Sequence, residues 1–373
     1  MKHFHFNRRR FLYFTAATTA AAAGYSLLAP RTSPIPGALL GPSMQLGHKL
    51  RETWPLPEPE QTDSFDIAVI GGGVSGLAAG YRLQKSTGIR YAVLELEPEA
   101  GGNARGGSNA VSRYPWGAHY VPLLDAETTE VQKLFEELNI ITGYDAQGRA
   151  HYNPYFLCAD PQERLYRHGR WQDGLIPQLG LSDSNAAQIQ TFLRRMDTFR
   201  TARGNDGRKA FSLPIDNSSS DQAWRDLDNI NFATWLEQAG FTSRPLLWYL
   251  NYACRDDFGA TLETTSAWAG LFYFAARDPL PANAEAHNVL TWPEGNAWLT
   301  ERLAAPIQSN LVAHAAVAQV QRVKDGVQVD YWHAPTERSR RIIARAVVFA
   351  VPRPIVARIL KDDDSAPQTG TFR

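Results

Sequence analysis

Three glycines and one acid carry the clearest chemistry in this chain. Gly71, Gly73 and Gly76 stand in the spacing G-x-G-x-x-G, and Glu95 closes an apolar run further on. Each residue type has a mechanical use. Gly71 permits a tight turn, Gly73 lacks a Cβ and so lets a pyrophosphate approach the backbone, and Gly76 lets a helix pack close to a sheet. A helix starting at Val74 and Ser75 presents free N–H groups and a partial positive charge to phosphate. Glu95 can accept hydrogen bonds from both hydroxyls of an adenosine ribose. Its charge would repel a 2′-phosphate, which argues against NADP.

A glycine pattern alone is weak, so the elements around it decide. Phe65 to Ile70 is a short apolar run with the pattern of a strand buried on both faces. Val74 to Lys85 shows helical spacing at Leu77, Ala78, Tyr81 and Leu83, and Tyr91 to Leu94 reads as a second strand. The unit is strand, turn, helix, strand, with the acid where a dinucleotide fold requires one. A second glycine pair, Gly101-Gly102, follows in LEPEAGGNARGG.

VIGGGVSGLAAGYRL and VLELEPEAGG together resemble the flavin-containing amine oxidase superfamily, which includes protoporphyrinogen oxidases and carotenoid desaturases. The resemblance covers roughly 65–360, with its specific motifs in the first third. It implies FAD as cofactor, held by Gly71, Gly73, Val74, Ser75, Gly76, Glu95 and Leu96, with Gly101, Gly102 and Asn103 at the pyrophosphate. The family commonly places Arg directly after the second pair. Here Asn103 stands there and Arg105 comes two positions later, so the phosphate's cation is either Arg105 or absent. Trp116-Gly117-Ala118-His119-Tyr120 is similar to the family segment that passes the flavin ring. Gly117 and Ala118 would bring backbone to the ring, and His119 either bonds flavin or substrate or packs a loop. Trp292-Pro293-Glu294-Gly295 resembles the family's Pro-x-Gly turn before a helix, and Val317 is implied as a backbone contact to adenine.

The fold expected is α/β: an FAD-binding Rossmann-like three-layer domain with an inserted, mainly helical substrate or cap domain. The parts are 1–30 leader, 31–64 proline-rich linker, 65–122 first FAD part, 123–290 cap, 291–360 second FAD part and 361–373 polar tail. Within the mostly helical cap, helices are expected over Ala126–Asn139 with Asp125 as N-cap, and over Ser184–Arg200, Phe232–Ala239 and Leu246–Asp257, while Thr265–Ala276 is strongly apolar and aromatic. Thr201–Asp221 is polar and reads as a mobile loop. Arg167–Trp171 reads as a hairpin tip. Strands follow at 311–323 and 327–332, turning at Asp325-Gly326, and at 345–351. The family's third FAD segment has no counterpart before Arg373. The chain is therefore expected to be truncated, to be completed by a second chain, or not to turn over.

Lys and Arg total 38 and Asp and Glu total 38, without a basic face, which excludes a nucleic-acid footprint. Cys158 and Cys254 are the only cysteines and form no C-x-x-C pattern; one disulfide or two buried thiols fit, and no metal cage does. NRRRFL before an Ala- and Thr-rich run resembles a twin-arginine signal, with Arg8-Arg9 as the pair; the alternative is a basic segment before a membrane anchor. Export to the periplasm by the twin-arginine machinery is expected, and a homo-oligomer is compatible with the sequence.

The expected activity is FAD-dependent oxidation: hydride transfer from a C–H of an amine or other small apolar molecule to flavin N5. No catalytic acid or base is assigned, and the electron acceptor is open. The alternatives are a truncated, non-catalytic FAD-binding protein and a non-redox flavoenzyme such as a sugar mutase.

Overall fold

In a computed structural model of the chain, the residues described are 43–51, 54–158 and 160–361. The expected leader, the linker up to residue 42 and the tail beyond Lys361 lie outside them. The chain divides into two units, Met1–Met44 and Gln45–Arg373. The architecture below is that of the second.

Its centre is a seven-stranded sheet. The strands are β1 (Gln61–Ile70), β2 (Tyr91–Leu94), β3 (Leu311–Val312), β4 (Ala315–Val323), β5 (Gly326–His333), β6 (Arg338–Phe349) and β7 (Leu360–Lys361), in the spatial order β3-β2-β1-β6-β5-β4-β7. β1 runs parallel to β2 on one side and to β6 on the other, while β4, β5 and β6 form an antiparallel meander. Side chains alternate between the two faces of a strand, and this divides the core. Val69, Tyr91 and Val93 pack with Leu77 of helix α1 (Val74–Gln84) and Ile307. Ala68, Ile70, Ala92 and Leu94 pack with Val317, Val329, Ile342 and Ile359. Helices therefore cover one face, and the meander with a short terminal helix closes the other. This is the three-layer α/β arrangement that the sequence pattern implies.

β1 begins at Gln61 instead of Phe65, because β6 continues alongside it and pairs Gln61 with Arg340. The single strand expected over 311–323 is two. The Glu95 amide donates to Val312 O and Glu95 O accepts from the Ala315 amide, so the chain steps across Glu95 between β3 and β4. The hairpin residues between β4 and β5 are Lys324 and Asp325, since Gly326 already pairs with Val323. Upstream, Leu50 packs on the sheet core and Arg358 donates to Arg51 O.

Between β2 and β3 lies a helical region with its own core. Its longer helices are α2 (Thr129–Glu137), α3 (Asp183–Thr201), α4 (Phe232–Gln238), α5 (Arg244–Phe258) and α6 (Ala267–Ala275). Phe192, Met196, Phe232, Leu250 and Leu271 pack together there. Ser182, Asn231 and Ser266 accept from backbone N–H groups at the starts of α3, α4 and α6. The chain re-enters the sheet through helix α7 (Ala297–Ala304), and helix α8 (Arg353–Ile359) follows β6.

Two expectations fail here. Asp125 is not an N-cap: α2 starts at Thr129 behind Thr128, and Asp125 is buried at 3% exposure, accepting from the Asp278 amide at 2.7 Å. The stretch 201–221 is not a loose loop. Ala210 and Phe211 are fully buried, and the Asp206 carboxylate accepts from the Ser219 hydroxyl and the Ser220 amide. Arg167–Trp171 does form a hairpin, with both His168 and Gly169 at positive φ. Cys158 and Cys254 form no disulfide; Cys254 is buried, which pushes its thiol up. Among the described residues no helix is long and apolar enough to cross a membrane, and no His, Cys, Asp and Glu group could hold a metal.

Candidate dinucleotide site

β1 ends in the buried residues Val69 and Ile70 and turns at Gly71, where φ is +100°. A Cβ at Gly71 would stand 2.6 Å from Ala350 O, and one at Gly76 would overlap the Gly71 carbonyl oxygen. These two glycines are therefore demanded by the protein's own packing. Gly73 differs. Its φ is an ordinary −70°, and the nearest heavy atom to a Cβ there is Gly102 Cα at 3.9 Å. Its smallness serves space outside the fold, above the start of α1. Gly73 caps that helix without a side-chain hydrogen bond, and Val74 and Ser75 are exposed. The first-turn N–H groups have no acceptor one turn back. Free backbone donors beside a residue without a side chain are what a diphosphate site requires.

The second glycine pair forms the opposite wall. Gly101 and Gly102 have φ of +130° and +55°, the Gly101 amide donates to Gly72 O at 2.8 Å, and Gly73 and Gly101 form a parallel bridge. Asn103 then receives the third predicted segment. Its carbonyl accepts from the Ala118 amide at 3.1 Å, and a Cβ at Gly117 would lie 2.9 Å from the same oxygen. The structure thus brings the two glycine turns and Gly117-Ala118 together.

Glu95 is 7% exposed and sits at the end of β2, with Leu96 half-buried after it. Its carboxylate accepts from the Gly72 amide at 2.7 Å and from the Glu97 amide at 2.8 Å. A carboxylate offers about four acceptor positions, so two remain for ribose hydroxyls. Glu95 and Arg105 both line a cavity of about 550 Å³, with Arg113, Thr300, Gln308 and Leu311. Val317 belongs to the sheet core, two residues beyond the Ala315 amide that meets Glu95 O.

His119 is exposed, with Nδ1 3.0 Å from Gly117 O and its ring edge-on to Tyr120. The Pro-x-Gly turn clamps this segment: Gly295 has φ +61°, the Asn296 amide donates to Ala118 O, and Asn296 Nδ2 donates to Tyr120 O. Asn296 and Arg113 were not singled out from sequence. Asn296 directly follows the glycine of the recognised turn, which was a usable signal. Arg113 lies in a polar stretch, and only the fold brings it to Glu294 and Glu301.

Tyr120 marks the side facing the helical region. Partial burial raises its hydroxyl pKa, and the carboxylates of Asp256, Asp257 and Glu163 add to this against Arg277. Asp256 and Asp257 lie at the end of α5, on which burial pushes Tyr249 up to about 12.

Comparison with known proteins finds similarity in sequence over the dinucleotide stretch and in fold over most of the chain. A family profile described as an NAD(P)-binding Rossmann-like domain matches residues 69–138. The β subunit of sarcosine oxidase from Arthrobacter sp is 46% identical over 65 residues, which is 17% of this chain and 16% of that subunit. A structure of putrescine oxidase redesigned in cofactor binding superposes with TM-score 0.55 at 18% identity, covering 80% of this chain and 60% of that one. Cyclohexylamine oxidase from Brevibacterium oxydans gives TM-score 0.52 at 19% identity, covering 79% of this chain and 60% of its own. At these identities the structural likeness is one of fold, and the chain spans about 60% of the length of both oxidase structures.

Proposed function

We propose that this chain, which has the fold of the FAD-dependent amine oxidase superfamily, binds FAD and oxidises a small amine or related apolar substrate. The observation that carries the reading is Gly73. It is a glycine that the protein's own packing does not require, since a Cβ there would make only an ordinary contact 3.9 Å from Gly102 Cα, and it lies beside the second glycine turn at the start of a helix.

The remaining residues divide the work. Glu95 has two acceptor positions left for the ribose, and Arg105 supplies positive charge beside the second turn. The free N–H groups at the start of α1 meet the diphosphate. Gly117, Ala118 and His119, a segment held by Asn103 and Asn296, would carry backbone past the flavin ring. FAD bound there supplies a two-electron acceptor for hydride from a substrate C–H, with oxygen or another acceptor restoring it. On the substrate side, Tyr120 lies within the field of three carboxylates, Asp256, Asp257 and Glu163, against one cation, Arg277. That arrangement favours a cationic amine over an anion.

The test is to purify residues from about Arg31 onward with added FAD and record the visible spectrum. Flavin bands near roughly 375 and 450 nm, bleached anaerobically by an amine, are the expected result. A folded protein that takes up no FAD would overturn the proposal. Export through Arg8-Arg9 is part of the same reading and rests on sequence alone. It predicts that Arg8→Lys with Arg9→Lys holds a reporter fusion in the cytoplasm.

A further inference from the structure

We infer that Glu97 is a positioning residue for the cofactor's diphosphate, acting through Arg105; this rests on the FAD reading above. Glu97 is 6% exposed, and a buried carboxylate needs a partner. Its Oε2 lies 3.5 Å from Arg105 Nη1. Arg105 is held at two further points. Its Nε donates to Gly102 O at 3.3 Å, and its stem lies so close to Gly101 that a Cβ there would stand 2.9 Å from Arg105 Cγ. The guanidinium is thereby laid across the second glycine turn, on the wall of the cavity that Glu95 shares.

These contacts close a ring. The Gly72 amide meets Glu95, Glu95 meets the Glu97 amide, and the Glu97 side chain meets Arg105. Arg105 meets Gly102 O, and the neighbouring Gly101 amide returns to Gly72 O. The two glycine turns that would grip a diphosphate are thus tied through two acids and one base. Arginine holds phosphate best when its planar fork is already oriented. The contacts with Glu97 and Gly102 engage two of its three nitrogens, and among the described residues Nη2 has no hydrogen-bond partner, which leaves it for the ligand.

Two effects of Glu97 oppose each other. Its charge repels a diphosphate, and its reach fixes Arg105. The inference is that reach prevails, and variants separate the two. Glu97→Gln keeps the reach and loses the charge; it is expected to bind FAD within about threefold of the parent. Glu97→Asp keeps the charge and withdraws it from Arg105; it is expected to bind about tenfold more weakly. Glu97→Ala is expected to resemble Glu97→Asp, and to cost nothing further in an Arg105→Ala background.

Affinity is read by quenching of flavin fluorescence on titration of the apoprotein. The unfolding temperature without FAD is measured in parallel. A purely structural Glu97 would lower the unfolding temperature of Glu97→Asp and leave its affinity unchanged, which overturns the inference. So would FAD binding by Glu97→Asp as tight as the parent's, tighter binding by both Glu97→Gln and Glu97→Ala, or additive losses with Arg105→Ala. A parent chain that takes up no FAD overturns the FAD reading instead.

Discussion

The Glu95 carboxylate lies 2.7 Å from the Gly72 amide, so the acid at the end of β2 also fastens the turn at the end of β1. Glu95 is therefore structural before it touches any ligand. Replacing it with Ala leaves the Gly72 and Glu97 amides without this acceptor, at about 1–3 kcal/mol for each group left buried and unpaired. Glu95→Ala is expected to lower both the unfolding temperature and FAD affinity. Glu95→Gln keeps one oxygen acceptor and should retain more stability than affinity. Calorimetry and FAD titration on the same samples check this.

The three glycines should part company under substitution. Gly76→Ala meets the Gly71 carbonyl, and Gly71→Ala meets Ala350 O at a φ of +100°. Both are expected to destabilise the fold or prevent it. Gly73→Ala meets only Gly102 Cα, at an ordinary contact distance of 3.9 Å, and should fold with an unchanged unfolding temperature. It should still weaken FAD binding about tenfold or more, because the new methyl occupies the ligand's path. Full FAD binding by Gly73→Ala would remove the main support for the proposed function.

Asp125 predicts a pH effect. Burial raises its carboxyl to about 6; the Asp278 amide and Lys209 oppose the rise, and Glu127 and Asp278 add to it. A folded-state value above the unfolded one means that the native state binds the extra proton. Stability therefore falls as pH rises from about 4 to about 6, by on the order of 3 kcal/mol, and is level above that. Asp125→Asn retains an oxygen for the Asp278 amide and lacks the proton to lose. It should flatten this part of the stability profile and be the more stable protein at pH 7, as measured by denaturant unfolding across pH.

In the meander, Asp330 receives two guanidinium bonds from Arg341 on the adjacent strand, at 2.7 and 2.9 Å, and Asp330 is 8% exposed. Asp330→Ala leaves Arg341 poorly paired and is expected to cost about 2 kcal/mol. Replacing both residues should recover part of that loss. Denaturant midpoints for the two single variants and the double variant test the coupling.

The first unit of the site was legible because its logic is local. β1, the glycine turn, α1, β2 and Glu95 each announce themselves through composition and spacing within one short stretch. The second glycine pair and the Pro-x-Gly turn were legible through resemblance. What escaped depends on contacts distant in sequence. Asp125 looked like a helix cap from its neighbours, yet its acceptor role serves Asp278, far along the chain. Phe211 lies in a largely polar run, and the rings of Phe199 on α3 and Trp268 on α6 that pack on it help to give that run order. Glu97 carries no signal of its own in the sequence, and only the fold lays Arg105 beside it.

The pairing of β1 with β6 has a consequence for how the molecule is made. The Ala350 amide bonds to Ile70 O, and Gly71 sits against the Ala350 carbonyl. The turn that begins the cradle is thus completed by residues synthesised some 280 positions later. Parallel strands so far apart in sequence close late and slowly. A nascent chain that has released β1, α1 and β2 from the ribosome would carry the whole glycine motif and still lack a rigid place for the ligand. Cofactor capture should mark the end of folding, and early fragments containing the motif should ignore FAD.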